Sequence, residues 1–199
     1  MPQIRLPVLR DAVRLRLGLG LLALLSLTWS LLALPLRYLL PRAPGQWLGR
    51  QGAGATFRVY VWLLTWIGAC RFDLQALDAR RDQPASVIAP NHPSLLDAVM
   101  IISRVPHVAC VMKAKLMRNI LFGAGARLAR YIRNDSLHAM VRRAVTEVRG
   151  GSHLLLFPEG TRTTRAPVNS LQGTAGLIAK YAHAPVQTVF IETTDAEFL

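Results

Sequence analysis

Twenty consecutive residues, Leu17 to Leu36, carry no charge, and no other feature of the chain restricts its fold as much. As a helix, such a run reaches ~30 Å, about the thickness of a bilayer's hydrocarbon core. Leucine dominates it, Trp29 lies inside, and Pro35 falls near the end, where it disturbs least. A cleaved signal would have a shorter apolar stretch, and no small-x-small site precedes Arg37. The run is therefore read as a membrane-embedded helix. Arg5, Arg10, Arg14 and Arg16 precede it and Arg37, Arg42, Arg50 and Arg58 follow it, so the flanking charge gives no orientation. A second apolar stretch, Val59 to Cys70, is too short to span. It reads either as an ordinary core helix or as an interfacial one with Tyr60, Trp62 and Trp66 at headgroup level. Two helices that dip in and return would keep all eight arginines on the cytoplasmic side.

Composition narrows the class further. The 199 residues carry a net charge of +13 and are 52% hydrophobic. That excludes a disordered basic tail, which would be poor in aliphatic residues. Two cysteines forty positions apart exclude a disulfide scaffold. A single long apolar run excludes a polytopic membrane protein. The combination points to anionic membrane or anionic substrate, with nucleic acid as the competing partner. Nucleic acid ranks last, because no recognised module appears and aromatic residues are not interleaved with the basic ones after Trp66. Eight Arg and one Asp fall in residues 1–60, where the charge flanks the apolar run. Residues 61–199 are basic as well and need a separate reason.

Residues 1–70 read as a membrane-associated helical segment and 71–199 as an α/β domain. Phe72 to Leu77 alternates with period two and predicts a strand. Ser86–Ala89, Val108–Met112, Tyr131–Ile132, His153–Phe157 and Val186–Ile191 are further strand candidates. Between them lie helical stretches: Leu95–Ser103, Ala114–Arg130 (broken around Gly123 and Gly125), a helix capped by Asn134-Asp135-Ser136 and closed by Gly150-Gly151, and Leu171–His183. Such alternation predicts a largely parallel sheet flanked by helices.

Two strand ends carry chemistry. After the second strand candidate, His92 and Asp97 stand five residues apart, an H-x4-D spacing. Ser94-Leu-Leu-Asp97 is also a capping-box pattern, which accounts for Asp97 without catalysis. The catalytic reading places His92 at the carboxyl edge of the sheet, with Asp97 fixing its tautomer and stabilising the imidazolium. No G-x-S-x-G elbow is present and neither cysteine has a catalytic signature, so such a base would act directly on a substrate hydroxyl or water. After His153–Phe157 comes Pro158-Glu-Gly-Thr-Arg162. Gly160 permits a tight turn, and Arg162 suits a phosphate through bidentate bonds; the plain alternative is a surface turn with a Glu–Arg pair. Lys113 and Lys115 follow a strand, and Arg133 precedes a helix cap where an anion would meet the positive helix end.

Asn91-His92-x4-Asp97, then Phe122-Gly123 with Arg133, then Phe157-Pro-Glu-Gly-Thr-Arg162, then Ala184-Pro185-Val186 together resemble the glycerolipid acyltransferase family, that of the 1-acylglycerol-3-phosphate acyltransferases. The likeness covers residues 70–195 and includes four blocks in order. It implies acyl transfer from acyl-CoA or acyl-carrier protein to a hydroxyl of a lysolipid. By the same likeness His92 is the general base and Asp97 its orienting partner. Arg133, Glu159, Gly160 and Arg162 form the acceptor-phosphate block, with Lys115 and Thr161 counted as substrate-binding, and Pro185 shapes the donor side. The apolar runs match the family's membrane-dipping N-terminal helices, with the catalytic domain on the cytoplasmic face. No metal and no cofactor beyond the thioester co-substrate is expected. Three departures stand out. Gln172 occupies a position that is often basic, Arg127 stands where many members have glycine, and the chain stops at Leu199 where members run further, as a truncated form would. Two other readings stay open: acylation of a different lysolipid, such as an amino-acid-containing one, and a non-catalytic protein bound to anionic membrane.

Overall fold

The computed structural model describes residues 6–79, 82–165 and 167–193. Two long helices come first, α1 (Leu6–Leu39) and α2 (Arg42–Trp66). They run antiparallel, since a Cβ on Gly18 would meet Leu64 and one on Gly52 would overlap the Trp29 ring. Then follow α3 (Gln75–Asp78), β1 (Val87–Pro90), α4 (Asp97–Arg104), β2 (Val108–Met112), α5 (Ala114–Met117), α6 (Gly123–Leu128), β3 (Ile132–Arg133), α7 (Leu137–Arg149), β4 (His153–Leu155), α8 (Thr174–Ala182) and β5 (Val186–Val189). The strands form one parallel sheet in the order β3-β2-β4-β1-β5, with Val87 opposite Leu154 and Val186, and Val108 opposite His153.

Strand periodicity divides the core. Ile88 and Leu155 point into one layer with Val99, Ile101 and Ile102 of α4 and with Tyr60, Val61 and Leu64 of α2. Their neighbours Val87, Ala89 and Leu154 point into the other, with Met140, Ala144 and Val148 of α7 and Ile178 of α8. The chain leaves β1 over one face towards β2 and leaves β4 over the other towards β5. Connections that diverge this way open a crevice at the carboxyl ends of β1 and β4, where parallel sheets bind ligands.

The N-terminal helices share the domain's core rather than standing apart from it. The buried positions of α1 are Gly18, Leu22, Ser26, Ser30 and Ala33, a narrow stripe one turn apart. Leu17, Leu19, Leu24, Leu31, Leu32 and Leu34 are exposed around it. Among the described residues, Ala12–Leu39 is the one helical segment long and apolar enough to cross a bilayer, and only the five positions of that stripe, of its 28, are buried. In α2 the second apolar stretch divides: Tyr60, Val61 and Leu64 enter the core, while Trp62 and Trp66 stack on each other in solvent, their rings 6.4 Å apart. Arg50, grouped by sequence with the flanking charges, is instead buried. It pairs with Glu147 at 2.6 Å and donates to Ser152 Oγ at 2.7 Å and the Ala129 carbonyl at 3.2 Å, tying α2 to the end of α7.

Several predicted elements move. Phe72–Leu77 is not a strand: the Asp73 carboxylate accepts the Gln75 N–H at 3.2 Å and starts the turn that becomes α3. The break within Ala114–Arg130 falls at Arg118–Phe122, where Asn119 Oδ1 accepts the Leu121 N–H at 2.8 Å. Gly123 and Gly125 lie inside α6, where Gly125 makes room for Trp29. Ser136 caps α7 as read, accepting from Ala139 N.

Candidate active site

The site grows from the loops that leave β1 and β4. Beyond β1, Asn91 extends the ladder with its side chain, accepting from the Ile191 N–H at 2.7 Å and donating to the Ile191 carbonyl at 3.0 Å. The chain then turns outward at His92. His92 Nδ1 lies 2.7 Å from Asp97 Oδ2, and its ring stacks on Phe157 with centroids 4.1 Å apart. Asp97 is 0% exposed and takes more than the imidazole: the Ser94 N–H donates to Oδ2 at 2.8 Å and the Ser94 hydroxyl to Oδ1 at 2.5 Å. Ser94 is not the N-cap its spacing predicts: Leu96 holds that place, without a side-chain cap bond, α4 starts at Asp97, and the Ser94 hydroxyl donates to the carboxylate instead of accepting a helix N–H. Three bonds hold the carboxylate, so its lone pairs are directed before any substrate arrives. With Nδ1 on Asp97, Nε2 is the nitrogen left to accept a proton.

The β4 loop is fastened to the β1 loop at the same residue. Glu159, 5% exposed, accepts the His92 N–H at 3.0 Å and the Thr163 hydroxyl at 2.6 Å through Oε1, and the Asn169 N–H at 2.9 Å through Oε2. The Thr163 N–H donates to the His92 carbonyl at 2.8 Å. Glu159 therefore holds the backbone of His92 and has no oxygen to spare for a ligand. Gly160 has φ +69, which calls for glycine; a Cβ there would also come within 2.6 Å of Gln172 Nε2, the tip of a flexible side chain.

His92 opens on a cavity of about 800 Å³. Gly160, Thr161, Arg162 and Lys115 line it beside His92, as do Lys113 and Gln172. Leu22, Trp29, Ala53, Phe57, Val99, Ile102, Cys110 and Tyr131 form its apolar wall, drawn from α1, α2, α4 and the sheet. Sequence reasoning missed this wall, because it is assembled from five separate segments. Burial pushes the Cys110 thiol up to about 12 and raises Tyr131 as well, so neither ionises near neutral pH.

Two residues assigned by sequence fall elsewhere. Arg133, on β3, is half exposed and pairs with Asp135, outside the cavity lining. Pro185 accepts the Val87 N–H at 2.9 Å, at the amino end of β1. His92 lies beyond the opposite end, ~16 Å of strand away. Pro185 starts β5 rather than shaping the site. Arg127, where many members have glycine, donates to the Met117 carbonyl and closes the turn before α6.

A family model described as Acyltransferase matches residues 71–192, more than half of the chain. The fold is similar to the crystal structure of the 1-acyl-sn-glycerophosphate (LPA) acyltransferase PlsC from Thermotoga maritima, with a TM-score of 0.63 and 20% identity over 89% of this chain and 73% of that one. No functionally curated protein is matched at the sequence level.

Proposed function

Because this chain belongs to the acyltransferase family, we propose that it is a membrane-associated O-acyltransferase moving a fatty acyl group from a thioester donor, acyl-CoA or acyl-carrier protein, to a hydroxyl of a lysophospholipid such as 1-acylglycerol-3-phosphate. One observation carries the reading. The His92–Asp97 dyad opens on a large, mainly apolar cavity that Arg162 also lines. A base beside an apolar chamber and a cation suits an acyl chain and a phosphorylated alcohol together.

In the proposed reaction His92 Nε2 takes the proton of the acceptor hydroxyl while that oxygen attacks the thioester carbonyl. The tetrahedral intermediate collapses, the C–S bond breaks, and the imidazolium returns its proton to the departing thiolate. An ester and a free thiol result, with no acyl-enzyme. Asp97 holds the reactive tautomer and stabilises the transient cation. Arg162, whose guanidinium has no ion-pair partner among the described residues, receives the acceptor phosphate, with Lys115 lining the same cavity. Glu159 positions His92 through its backbone.

The helices support membrane attachment. An apolar helix that buries only a narrow stripe against protein has its remaining faces suited to lipid. The 34 residues of α1 reach ~51 Å, yet protein contacts continue along it from Gly18 to Ala33. A helix bound lengthwise to its own domain lies with that domain on one leaflet, here proposed as the cytoplasmic one.

The test is an assay of purified protein with radiolabelled thioester donor against a panel of lysolipids, including lysophosphatidate and amino-acid-containing acceptors. Transfer by the wild type and its loss in His92→Ala support the reading. No transfer to any lysolipid, or full transfer without His92, overturns it.

A further inference from the structure

The eighteen residues between β4 and α8, 156–173, form no helix or strand among those described. A segment of that length must satisfy its backbone polar groups by other means, and long irregular loops of this kind carry function. Two of its residues, Thr161 and Arg162, line the cavity beside His92. One side chain shapes the loop around them, that of Asn169, which no sequence motif singles out.

Asn169 uses both ends of its amide. Its Oδ1 accepts the Thr164 N–H at 3.2 Å, the Arg165 N–H at 3.1 Å and the Thr164 hydroxyl at 3.3 Å. Its Nδ2 donates to the Arg162 carbonyl at 2.9 Å. Its backbone N–H donates to Glu159 Oε2 at 2.9 Å, and the other oxygen of Glu159 accepts the His92 N–H at 3.0 Å. An acceptor and a donor are needed on one short side chain. Aspartate has no such donor and alanine has neither group. The chain from Arg162 to Asn169 is thereby closed around one amide, and Glu159 ties that ring to the histidine loop. These bonds fix the backbone of Arg162 and leave its side chain to the cavity.

We propose that Asn169 is a positioning residue for the acceptor: it fixes the backbone of Arg162 so that the guanidinium meets the acceptor phosphate without first being ordered. The inference rests on the acyltransferase reading, in which Arg162 receives that phosphate, and extends it to the residue that aims the arginine. An arginine on an unbraced loop loses backbone freedom when it closes on a ligand, and that loss weakens binding. Here the ordering is completed on folding. Ordering one residue's backbone in advance corresponds to roughly tenfold in affinity. The link to Glu159 runs through the Asn169 main chain, which alanine and aspartate both keep. The side chain therefore serves binding, and the main chain serves the catalytic loop.

The experiment is equilibrium binding in detergent micelles, read by calorimetry, with lysophosphatidate and the uncharged monoacylglycerol of the same chain as probes. No thioester donor is present, so binding is read without turnover. Asn169→Ala is expected to weaken lysophosphatidate about tenfold and to leave monoacylglycerol within about twofold. In an Arg162→Gln background the same substitution should change neither affinity, because the group it aims is gone. Asn169→Asp keeps the oxygen that serves Thr164 and Arg165 and loses only the donor to Arg162. It should repeat the selective loss, and it carries the test if the alanine variant does not fold. Its added charge repels phosphate with or without Arg162, so the part of its loss that vanishes with Arg162→Gln is the positioning effect. An unchanged lysophosphatidate affinity overturns the proposal. So does an equal loss for both lipids, which marks a general structural role, and so does a loss that persists in full without Arg162. A wild type that binds both lipids equally overturns it as well, since Arg162 then meets no phosphate. Failure of the acyl-transfer assay with the expected binding pattern intact removes the reaction and leaves the positioning role standing, so the two failures are distinguishable.

Discussion

The loops that leave β1 and β4 start from adjacent strands and end at the same histidine, yet they are held in different ways. The β1 loop closes on itself. Asp97 collects His92 Nδ1 and both groups of Ser94, all within five residues of chain. The β4 loop is held from outside, with Glu159 spanning from the His92 N–H to the Asn169 N–H. The proposed base thus rests on local order, and Thr161 and Arg162, proposed to bind the acceptor, rest on a brace between segments. Chemistry and binding should therefore separate under mutation.

The largest effect is expected at His92. Replacing it with alanine removes the base and should lower kcat by about 10²–10⁴-fold. Circular dichroism and vesicle flotation should be unchanged, since its side-chain bond is to Asp97 alone among the described residues. Retained activity in that variant would break the comparison at its root. Asp97→Asn comes next. The amide still accepts from the imidazole and Ser94 but carries no charge to balance the imidazolium, so a fall of about 10² in kcat is expected with KM for both substrates little changed. A rise in KM alone would show that this loop serves binding.

Glu159→Gln tests the brace. An amide offers one acceptor oxygen where two are used: turned towards His92 it leaves the part-buried Asn169 N–H facing an NH2 group, and turned the other way it leaves the His92 N–H with Thr163 Oγ1 alone. Thermal unfolding should show a loss of about 1–3 kcal/mol. Acceptor KM and kcat should shift together, because both loops lose register. The smallest effect lies outside both loops. With its thiol pushed up to about 12 by burial, Cys110 should resist iodoacetamide at pH 8, while half-buried Cys70 is the one modified. The folded value lies above the unfolded one of ~8.5, so the contribution is complete below that pH and is lost as pH climbs towards 12. A chemical-denaturation series over that range reads the decline, and mass spectrometry locates the label. Ready alkylation of Cys110 at pH 8 would show that the cavity wall opens to solvent.

Much of this was legible from residues alone. Val108–Met112 is a strand with the bounds its apolar run predicts, and Ser136 caps α7 as its position suggests. Both depend on contacts between near neighbours. Of the two readings of Asp97, the imidazole partner holds, while the capping box holds only in part: Asp97 accepts the Ser94 N–H, but Leu96 is the N-cap, without a side-chain bond, and Asp97 opens α4. Phe72–Leu77 misled because six alternating residues are too few to outweigh one Asx turn at Asp73. Arg133, Arg50 and Pro185 misled for a different reason. Each was judged by its neighbours in sequence, whereas each is held by a residue at another place in the fold or lies at another edge of the sheet.

By itself the sequence determined the class of this protein: a parallel α/β domain behind an apolar helix, with a histidine–carboxylate pair and an arginine at two strand ends. Period, punctuation and short spacings carry that information, because the forces behind them act over a few residues. Only the tertiary structure decided that Arg50 is a buried strut and Glu159 a brace. It also decided that α1 lies along the domain instead of standing apart. Those facts depend on which distant segments pack together. Burial is a property of the assembled fold, and no local pattern encodes it.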